Sequence, residues 1–334
     1  VLDQRTILAM LRAAAEPTRL RVLALLTRGE LSVKDLTRIL NQSQPRISRH
    51  LKLLAEAGLV DRVRDGSWAY FQLVASGDRG QLLDALLGAI DPRDPLLERD
   101  RSRADLVKRE REAAAQAYFQ ANAAEWDRIR SLHVTESEVE DEICRVLGNG
   151  PFGLLVDLGT GTGRMLELLS RRYERAVGFD INHTMLDYAR SKIEQAGIHG
   201  ASVRHGDLYE VALSDGVADA VIMHQVLHFL TEPGQAIREA ARILSPGGRL
   251  IIVDFAPHTM EFLRERYAHE RLGFPEPQMA QWLAEAGLRL DGSRSLAPVA
   301  QAGEGKLTVT VWTAARPGHA DLVPAGTQSR RVEA

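Results

Sequence analysis

The chain has 334 residues, 45% hydrophobic and 26% charged, an ordinary globular composition with length enough for two cored domains. No apolar run approaches the roughly 20 residues that span a bilayer, Val1 to Leu11 is interrupted by Asp3, Gln4 and Arg5 and shows no signal-peptide pattern, and the single cysteine, Cys144, excludes an internal disulfide and any multi-cysteine metal site. These features predict a cytoplasmic protein with no membrane partner. The net charge of −3 hides an asymmetry: residues 1–90 hold 13 basic and 9 acidic side chains, net +4, and the rest of the chain is net −7, so nucleic acid, if bound, is expected at the front.

Residues 1–90 read as short helices followed by one hairpin. In Leu31 to Leu40, Ser32 followed three positions later by Asp35 marks a helix start. Val33, Leu36 and Leu40 then recur at helical spacing. Asn41-Gln42 turns the chain into Ser43, a second N-cap, and a helix through Leu54. Ile47, Leu51 and Leu54 share its inner side, and Arg46, Ser48, Arg49 and Lys52 share the outer side. Two helices across a tight turn, with long donors on the outer face of the second, follow the logic of a helix-turn-helix. Leu59 to Leu73 contains Asp65-Gly66 between β-rich runs, a hairpin signal, with Arg62 and Arg64 on one side of their strand. Such a wing beside a recognition helix contacts phosphate backbone or minor groove. The candidate DNA-binding residues are Ser43, Gln44, Arg46, Ser48, Arg49, Lys52, Arg62 and Arg64.

Asp91 to Pro95 is hostile to helix, and a strongly charged helix is predicted from about Leu96 to Arg130; residues 91–130 form either a continuous helical connector or, as Pro92 and Pro95 allow, a flexible tether. Strands are expected at Leu154–Leu158, Ala176–Asp180, Ser202–His205, Ala218–His224 and Arg249–Phe255, alternating with helices as in an open α/β sheet. A terminal pair follows near Leu288–Ser295 and Leu307–Ala314. Residues 316–334 are polar and expected to be disordered.

Leu154 to Arg164 runs from strand through Gly159-Thr160-Gly161-Thr162-Gly163 into a helix. Glycines here allow unusual φ and close approach of a ligand to the backbone. The dinucleotide spacing fails, because it would need glycine at Arg164 or Leu166. Asp157 at the strand end would repel a pyrophosphate and suits a ligand bearing an ammonium and a sulfonium. Asp180 ends the next strand, where a carboxylate accepts from ribose hydroxyls. Asp207 ends the third, where an adenine amino group would lie.

Glu16 to Leu23, Glu30 to Leu36 and Ser43 to Leu54 resemble the ArsR/SmtB family of bacterial repressors over about residues 5–90. The resemblance implies a homodimer, paired through the first helix and the helix near Gln81–Ile90, on a two-fold double-stranded DNA operator. Metal-sensing members carry cysteines where this chain has Ser32 and Lys34, or His and Asp pairs in the last helix, where residues 79–90 hold no His. A signal other than a metal is therefore expected, and no metal ligand is assigned.

Asp157 to Arg164, Asp180, Asp207, Ala218 to His228 and Leu244 to Leu250 resemble class I S-adenosylmethionine-dependent methyltransferases, nearest the small-molecule branch with the quinone-ring methylases, over about 118–315. The resemblance implies Gly159, Gly161 and Gly163 at the methionine part, Asp180 at the ribose, and Asp207 with Leu208 at the adenine. Asp157, Thr160, Ile181, Met185, His224 and Gln225 complete the expected cofactor shell. Tyr118 to Trp126 would form the N-terminal lid, and Pro275 to Gly287 would pack across the substrate mouth. His224-Gln225-Val226-Leu227 is not the turn of amino-directed DNA methylases, Cys144 lacks the proline of cytosine-C5 methylases, and arsenite methylases need several thiolates. Cys144 is expected in the core. His224 and His228 stand where a methyl acceptor would lie, as candidate bases or as packing residues. His258, His269 and Glu270 are expected around the same mouth.

The predicted fold is α/β: a winged helix-turn-helix (1–90), a charged helical connector and lid (91–130), a Rossmann-like class I methyltransferase domain (131–315) and a tail (316–334). The favoured function is a transcription regulator that binds S-adenosylmethionine or S-adenosylhomocysteine as effector. The alternative is an active methyltransferase of a small-molecule acceptor with a DNA-binding appendage.

Overall fold

A computed structural model describes residues 1–65, 68–74, 77–131, 136–297 and 307–318. Its contacts divide the chain into two compact units. One is Val1–Tyr118 with Phe229–Glu232 and Pro257–Leu272, and the other holds the remainder.

The first unit opens with α1 (Gln4–Ala14) and α2 (Pro17–Leu26), capped by Asp3 and Glu16, whose side chains accept from Thr6 N and Arg19 N. The short strand β1 (Leu31–Ser32) leads into α3 (Val33–Leu40). Ser32 and Asp35 form the reciprocal capping box read from the sequence. Asn41 takes φ +53° to end α3, a left-handed cap that asparagine tolerates. The helix α4 (Gln44–Glu56) follows, with Ser43 at its N-cap but no side-chain cap hydrogen bond. Strands β2 (Val60–Asp65) and β3 (Trp68–Leu73) form the antiparallel hairpin, and β1 pairs with β3 on the other side. The turn residues Gly66 and Ser67 and the Arg64 side chain lie outside the described residues. Helix α5 (Gly77–Gly88) and the 28-residue α6 (Pro95–Asn122) complete the unit. Its core joins Val22, Leu23, Leu36, Ile39, Ile47, Leu51, Leu54 and Leu83, the stripe positions that helical periodicity assigns to one face.

The charged helix differs from the expected connector in two ways. It stops at Asn122, where a 3-10 turn (Ala123–Glu125) intervenes before α7 (Trp126–Ser131). It is also built into the reader as far as Tyr118. Asp100 is fully buried and accepts from Arg21 Nε and Nη2 at 2.6 and 2.7 Å. Arg103 donates to the Ile39 carbonyl, and Arg28 pairs with Asp105 at 2.8 Å. Acidic and basic side chains of the segment are thus partners for Arg21, Arg28 and the Ile39 carbonyl in the reader.

The second unit continues from α7 through α8 (Glu136–Leu147), β4 (Phe152–Leu158), α9 (Arg164–Leu168), β5 (Tyr173–Asp180), α10 (His183–Gln195), β6 (Ala201–His205), β7 (Ala218–His224), α11 (Pro233–Ile243) and β8 (Leu244–Phe255). The helix α12 (Phe262–Arg266) belongs to the first unit. The chain then returns for α13 (Glu276–Glu285), β9 (Arg289–Leu296) and β10 (Val309–Ala315). The seven strands lie in the order β6-β5-β4-β7-β8-β10-β9, parallel except for β10, which runs antiparallel to β8 and β9. All the strands expected from the alternating pattern are present. Leu155, Val156, Ala220, Val221, Ile222, Leu250 and Ile251 are buried, as strands covered on both faces require. Arg316, expected in the tail, extends the pairing of β10 with β8: its N–H donates to Gly248 O and its carbonyl accepts from Gly247 N, both at 2.9 Å. Residues 319–334 lie outside the described residues.

Candidate nucleoside site and nucleic-acid interface

Strand order reverses between β4 and β7, the switch point where open α/β sheets bind ligands beyond the carboxyl ends of their strands. Asp157 and Leu158 end β4 there, Asp180 ends β5, His205 ends β6 and His224 ends β7.

The glycine turn is fastened to β5. Gly159 N and Thr160 N both donate to Phe179 O, at 2.8 and 2.9 Å. Gly159 has φ +79°, and a Cβ on it would stand 2.4 Å from Val226 Cγ2, so no larger residue fits this approach. Asp157 is buried, and its Oδ2 accepts from Thr160 Oγ1 at 2.6 Å. Its visible work is to hold the turn from beneath.

Asp180 spans the crevice. Its Oδ2 accepts from Gly161 N at 2.9 Å and its Oδ1 from Asn182 N at 2.8 Å. Both oxygens are thereby oriented and retain lone pairs for a ligand's hydroxyls. Burial pushes the Asp180 carboxyl above its ordinary value of 3.8, opposed by the backbone N–H groups of Asn182, Gly161 and Ile181 and by His205. Asp207 is exposed, and its Oδ1 accepts from Tyr209 N at 2.9 Å, closing its own turn. Met185 and Leu208 are buried near these ends, and Ile181 is exposed. His183 and His205 stack with ring centroids 4.2 Å apart.

The expected lid divides. Trp126 comes within 3.5 Å of the position a Cβ on Gly161 would occupy, and Phe119 packs edge-on against it at 5.2 Å. Asp127 accepts from Thr162 Oγ1 at 2.7 Å and pairs with Lys192. Tyr118, by contrast, packs with Tyr267 in the first unit. The helix α13, expected across the substrate mouth, contacts α11 and β9. It packs on α11, with Trp282 against Gly234, because Met279, Trp282 and Leu283 form an apolar face.

At the end of β7, where a methyl acceptor is expected, His224 is half-buried, and Gln225 takes φ +51° and is buried. His228 is buried, with Nδ1 2.8 Å from Asp254 Oδ1 and its backbone N donating to Asp254 Oδ2 at 3.2 Å. Asp254, a further acid at a strand end, escaped the sequence reading, although the rule that found Asp157 and Asp180 applies to it. Glu270 and His269, expected around this site, fall in the first unit. Glu270 accepts there from Tyr70 and Arg111, and His269 packs against Phe229. Cys144 is half-buried on α8. Among the described residues no group of three metal-ligating side chains occurs.

On the reader, Ile47, Leu51 and Leu54 are fully buried, while Ser43, Gln44, Arg46, Ser48, Arg49 and Lys52 are exposed. Lys52 lies 3.8 Å from Glu56, one turn on. A groove of about 590 Å³ separates α4 from the hairpin. It brings the expected residues Gln44, Ser48 and Arg62 together and adds Lys34, Thr37 and Trp68. Lys34 Nζ lies 5.3 Å from the Trp68 ring centroid. Arg46, Arg49 and Lys52 are not among the residues that line that groove.

Two family profiles match the sequence. "Bacterial regulatory protein, arsR family" matches residues 16–62, and "Methyltransferase domain" matches residues 156–252. The chain joins an ArsR-type winged helix-turn-helix to a class I methyltransferase domain. The ubiquinone/menaquinone biosynthesis C-methyltransferase UbiE of Caulobacter sp. (strain K31) is 29% identical over 155 residues, 44% of this chain and 61% of the relative. A phosphatidylethanolamine N-methyltransferase of Cereibacter sphaeroides is 33% identical over 122 residues, 36% of this chain and 59% of the relative. The chain thus spans less than two thirds of either curated relative. In structure, the domain resembles a chain of the complex between the Haloferax volcanii Trm112 methyltransferase activator and a methyltransferase. That match has a TM-score of 0.52 and 20% identity, and covers 61% of this chain and 98% of the other.

Proposed function

We propose that the protein is a DNA-binding transcription regulator whose methyltransferase-like domain takes S-adenosylmethionine or S-adenosylhomocysteine as effector. The observation that carries this reading is the presence, in one chain, of a fully exposed basic reading face on a packed core and a cradle whose acids suit a nucleoside. The glycine turn admits close backbone approach at Gly159, Asp180 offers an oriented carboxylate, and Met185 and Leu208 supply apolar surface. Acids at the strand ends disfavour a pyrophosphate and favour an uncharged ribose beside a cationic sulfonium. Arg46, Arg49 and Lys52 would reach guanine edges or phosphates, and Arg62 and Arg64 the backbone. A homodimer on a two-fold operator, assembled in the cytoplasm, fits the exposed Leu8 and Leu11 on α1. Zinc or arsenite is not the expected signal.

The test is fluorescence anisotropy of a labelled duplex from upstream of the protein's own gene, titrated in the apo form and with each ligand saturating. The reading expects the two ligands, which differ by one methyl and one positive charge, to give different DNA affinities. Equal affinity in all three states would sink it. A second reading, an active methyltransferase of a small acceptor, is favoured by the likeness to methyltransferases that act at carbon and at nitrogen, with His224 as the candidate base and His228 held by Asp254. S-adenosylhomocysteine release dependent on an added acceptor, with DNA affinity indifferent to ligand, would establish that reading instead.

A further inference from the structure

The methyltransferase domain gives two excursions to the reader, each from the carboxyl end of a sheet strand: Phe229–Glu232 after β7 and Pro257–Leu272 after β8. The second is pinched shut at its base. Gly273 has φ +92°, and a Cβ there would stand 2.2 Å from Ala256 O, so the returning chain needs glycine to come this close. Phe274 N donates to Phe255 O and His258 N to Leu272 O, both at 2.9 Å. The base therefore hangs on the end of β8, beside Asp254, which holds His228 at the acceptor side of the nucleoside site.

The far side of the excursion grips the wing. Arg264 Nη2 donates to Asp65 O at 3.0 Å and pairs with Asp65 Oδ2 at 3.0 Å. Its guanidinium lies 4.5 Å from the Trp68 ring centroid. Leu272 N donates to Asp65 Oδ1 at 2.8 Å. Arg271 stacks 3.7 Å over the Tyr70 ring and pairs with Glu30 at 2.8 Å. Tyr70 Oη donates to Glu270 Oε1 at 3.1 Å, and Glu270 also accepts from Arg111 Nη1 at 2.7 Å. The side chains of Arg264, Asp65 and Arg271 are 7%, 5% and 4% exposed. Asp65 and Trp68 are the residues at which the two wing strands meet the turn.

Buried ion pairs are directional and costly to leave half-made, so such a cluster has few arrangements open to it. A two-stranded hairpin is marginal by itself, and its tip stands where its grip puts it. We propose that Pro257–Leu272 is a strap that transmits the state of the nucleoside site to the wing, with Arg264 and Arg271 as its positioning residues. This rests on the regulator reading above. Ligand that fixes the β8 end fixes the strap base, and the ion pairs carry that restraint to Asp65 and Trp68. The strap runs directly from the end of β8 to the wing.

Amide hydrogen exchange on the full chain tests the proposal, with S-adenosylhomocysteine as the probe ligand and Arg264→Gln as the variant. Asp65→Asn weakens the same pair from the wing side and serves if the first variant does not fold. In the wild type, ligand should slow exchange in both residues 257–272 and the wing strands. In either variant the strap should still respond and the wing should lose most of its response. Ligand affinity should stay within about twofold, as for sites that do not touch. Arg264→Lys should restore part of the wing response. A wing that responds fully in the variants would overturn the strap. A wild-type protein that binds the ligand but shows no change in wing exchange or DNA affinity would instead overturn the regulator reading, and the strap with it.

Discussion

The two candidate surfaces are built on opposite principles. At the nucleoside site Asp157 is buried, Asp180 is half-buried, and both are already bonded: Asp157 to Thr160, and Asp180 to Gly161 and Asn182. On the reading face the charged groups stand in solvent on an apolar helix, with Ile47, Leu51 and Leu54 fully buried beneath Arg46, Arg49 and Lys52. Preorganised carboxylates cost desolvation in the empty protein and select a shape. Exposed arginines cost little until DNA arrives and draw on long-range attraction. Behind the reading face lies a third arrangement, the buried ion pairs of the wing, which neither motif announces.

That third arrangement should give the largest effect. Arg271→Leu leaves Glu30 buried without its partner and should destabilise the reader by about 3–5 kcal/mol in urea unfolding, whereas the Glu30→Leu, Arg271→Leu double variant should recover most of the loss. An equal loss in both would mean that Arg271 works by stacking on Tyr70 and not by pairing.

Asp180→Ala should weaken S-adenosylhomocysteine binding by about 1.5–3 kcal/mol, roughly 10- to 150-fold by calorimetry. The acid also predicts a pH dependence. Ligand hydroxyls need the carboxylate, and burial raises its folded pKa above 3.8. Affinity should therefore be full at neutral pH and fall as pH drops through that raised value. The sign for the fold is opposite: a carboxyl with a raised folded pKa binds its proton better folded than unfolded, so in this group acid stabilises. Ligand affinity that rises on acidification would remove Asp180 from the site.

On the exposed side, Arg49→Ala should cost about 1–3 kcal/mol on its operator and little on unrelated DNA, if it reads a base. The smallest change belongs to the wing: Arg62→Ala should weaken all sequences alike and lower the salt slope by about 1. Arg62→Ala selective for one sequence would reverse those two roles.

Much of this was legible in the sequence because local rules and the fold agree. The capping box at Ser32 and Asp35, the Ile47-Leu51-Leu54 stripe and the acids at successive strand ends are each set by spacing within a few residues. What escaped depends on partners far apart in the chain. Asp100 looks like one charge among many on α6, and only Arg21, 79 residues earlier, makes it a buried ion pair. His269 and Glu270 looked like a polar group near an acceptor, but Tyr70, 200 residues away, places Glu270 in the reader. The helix break at Asn122 has no glycine or proline to announce it. It lies between Tyr118, which packs on Tyr267, and Trp126, which packs at Gly161.

On the regulator reading, the nucleoside cradle and the exposed reader are energetically one system. Linkage makes this measurable from the ligand side, because DNA must change ligand affinity by the same factor that ligand changes DNA affinity. Calorimetric titration of S-adenosylhomocysteine into the protein alone, and into the protein saturated with its upstream duplex, tests this most directly. The two affinities should differ by roughly 5- to 150-fold, the range of about 1–3 kcal/mol of coupling. Identical affinities in the two titrations would contradict it and leave two independent domains on one chain.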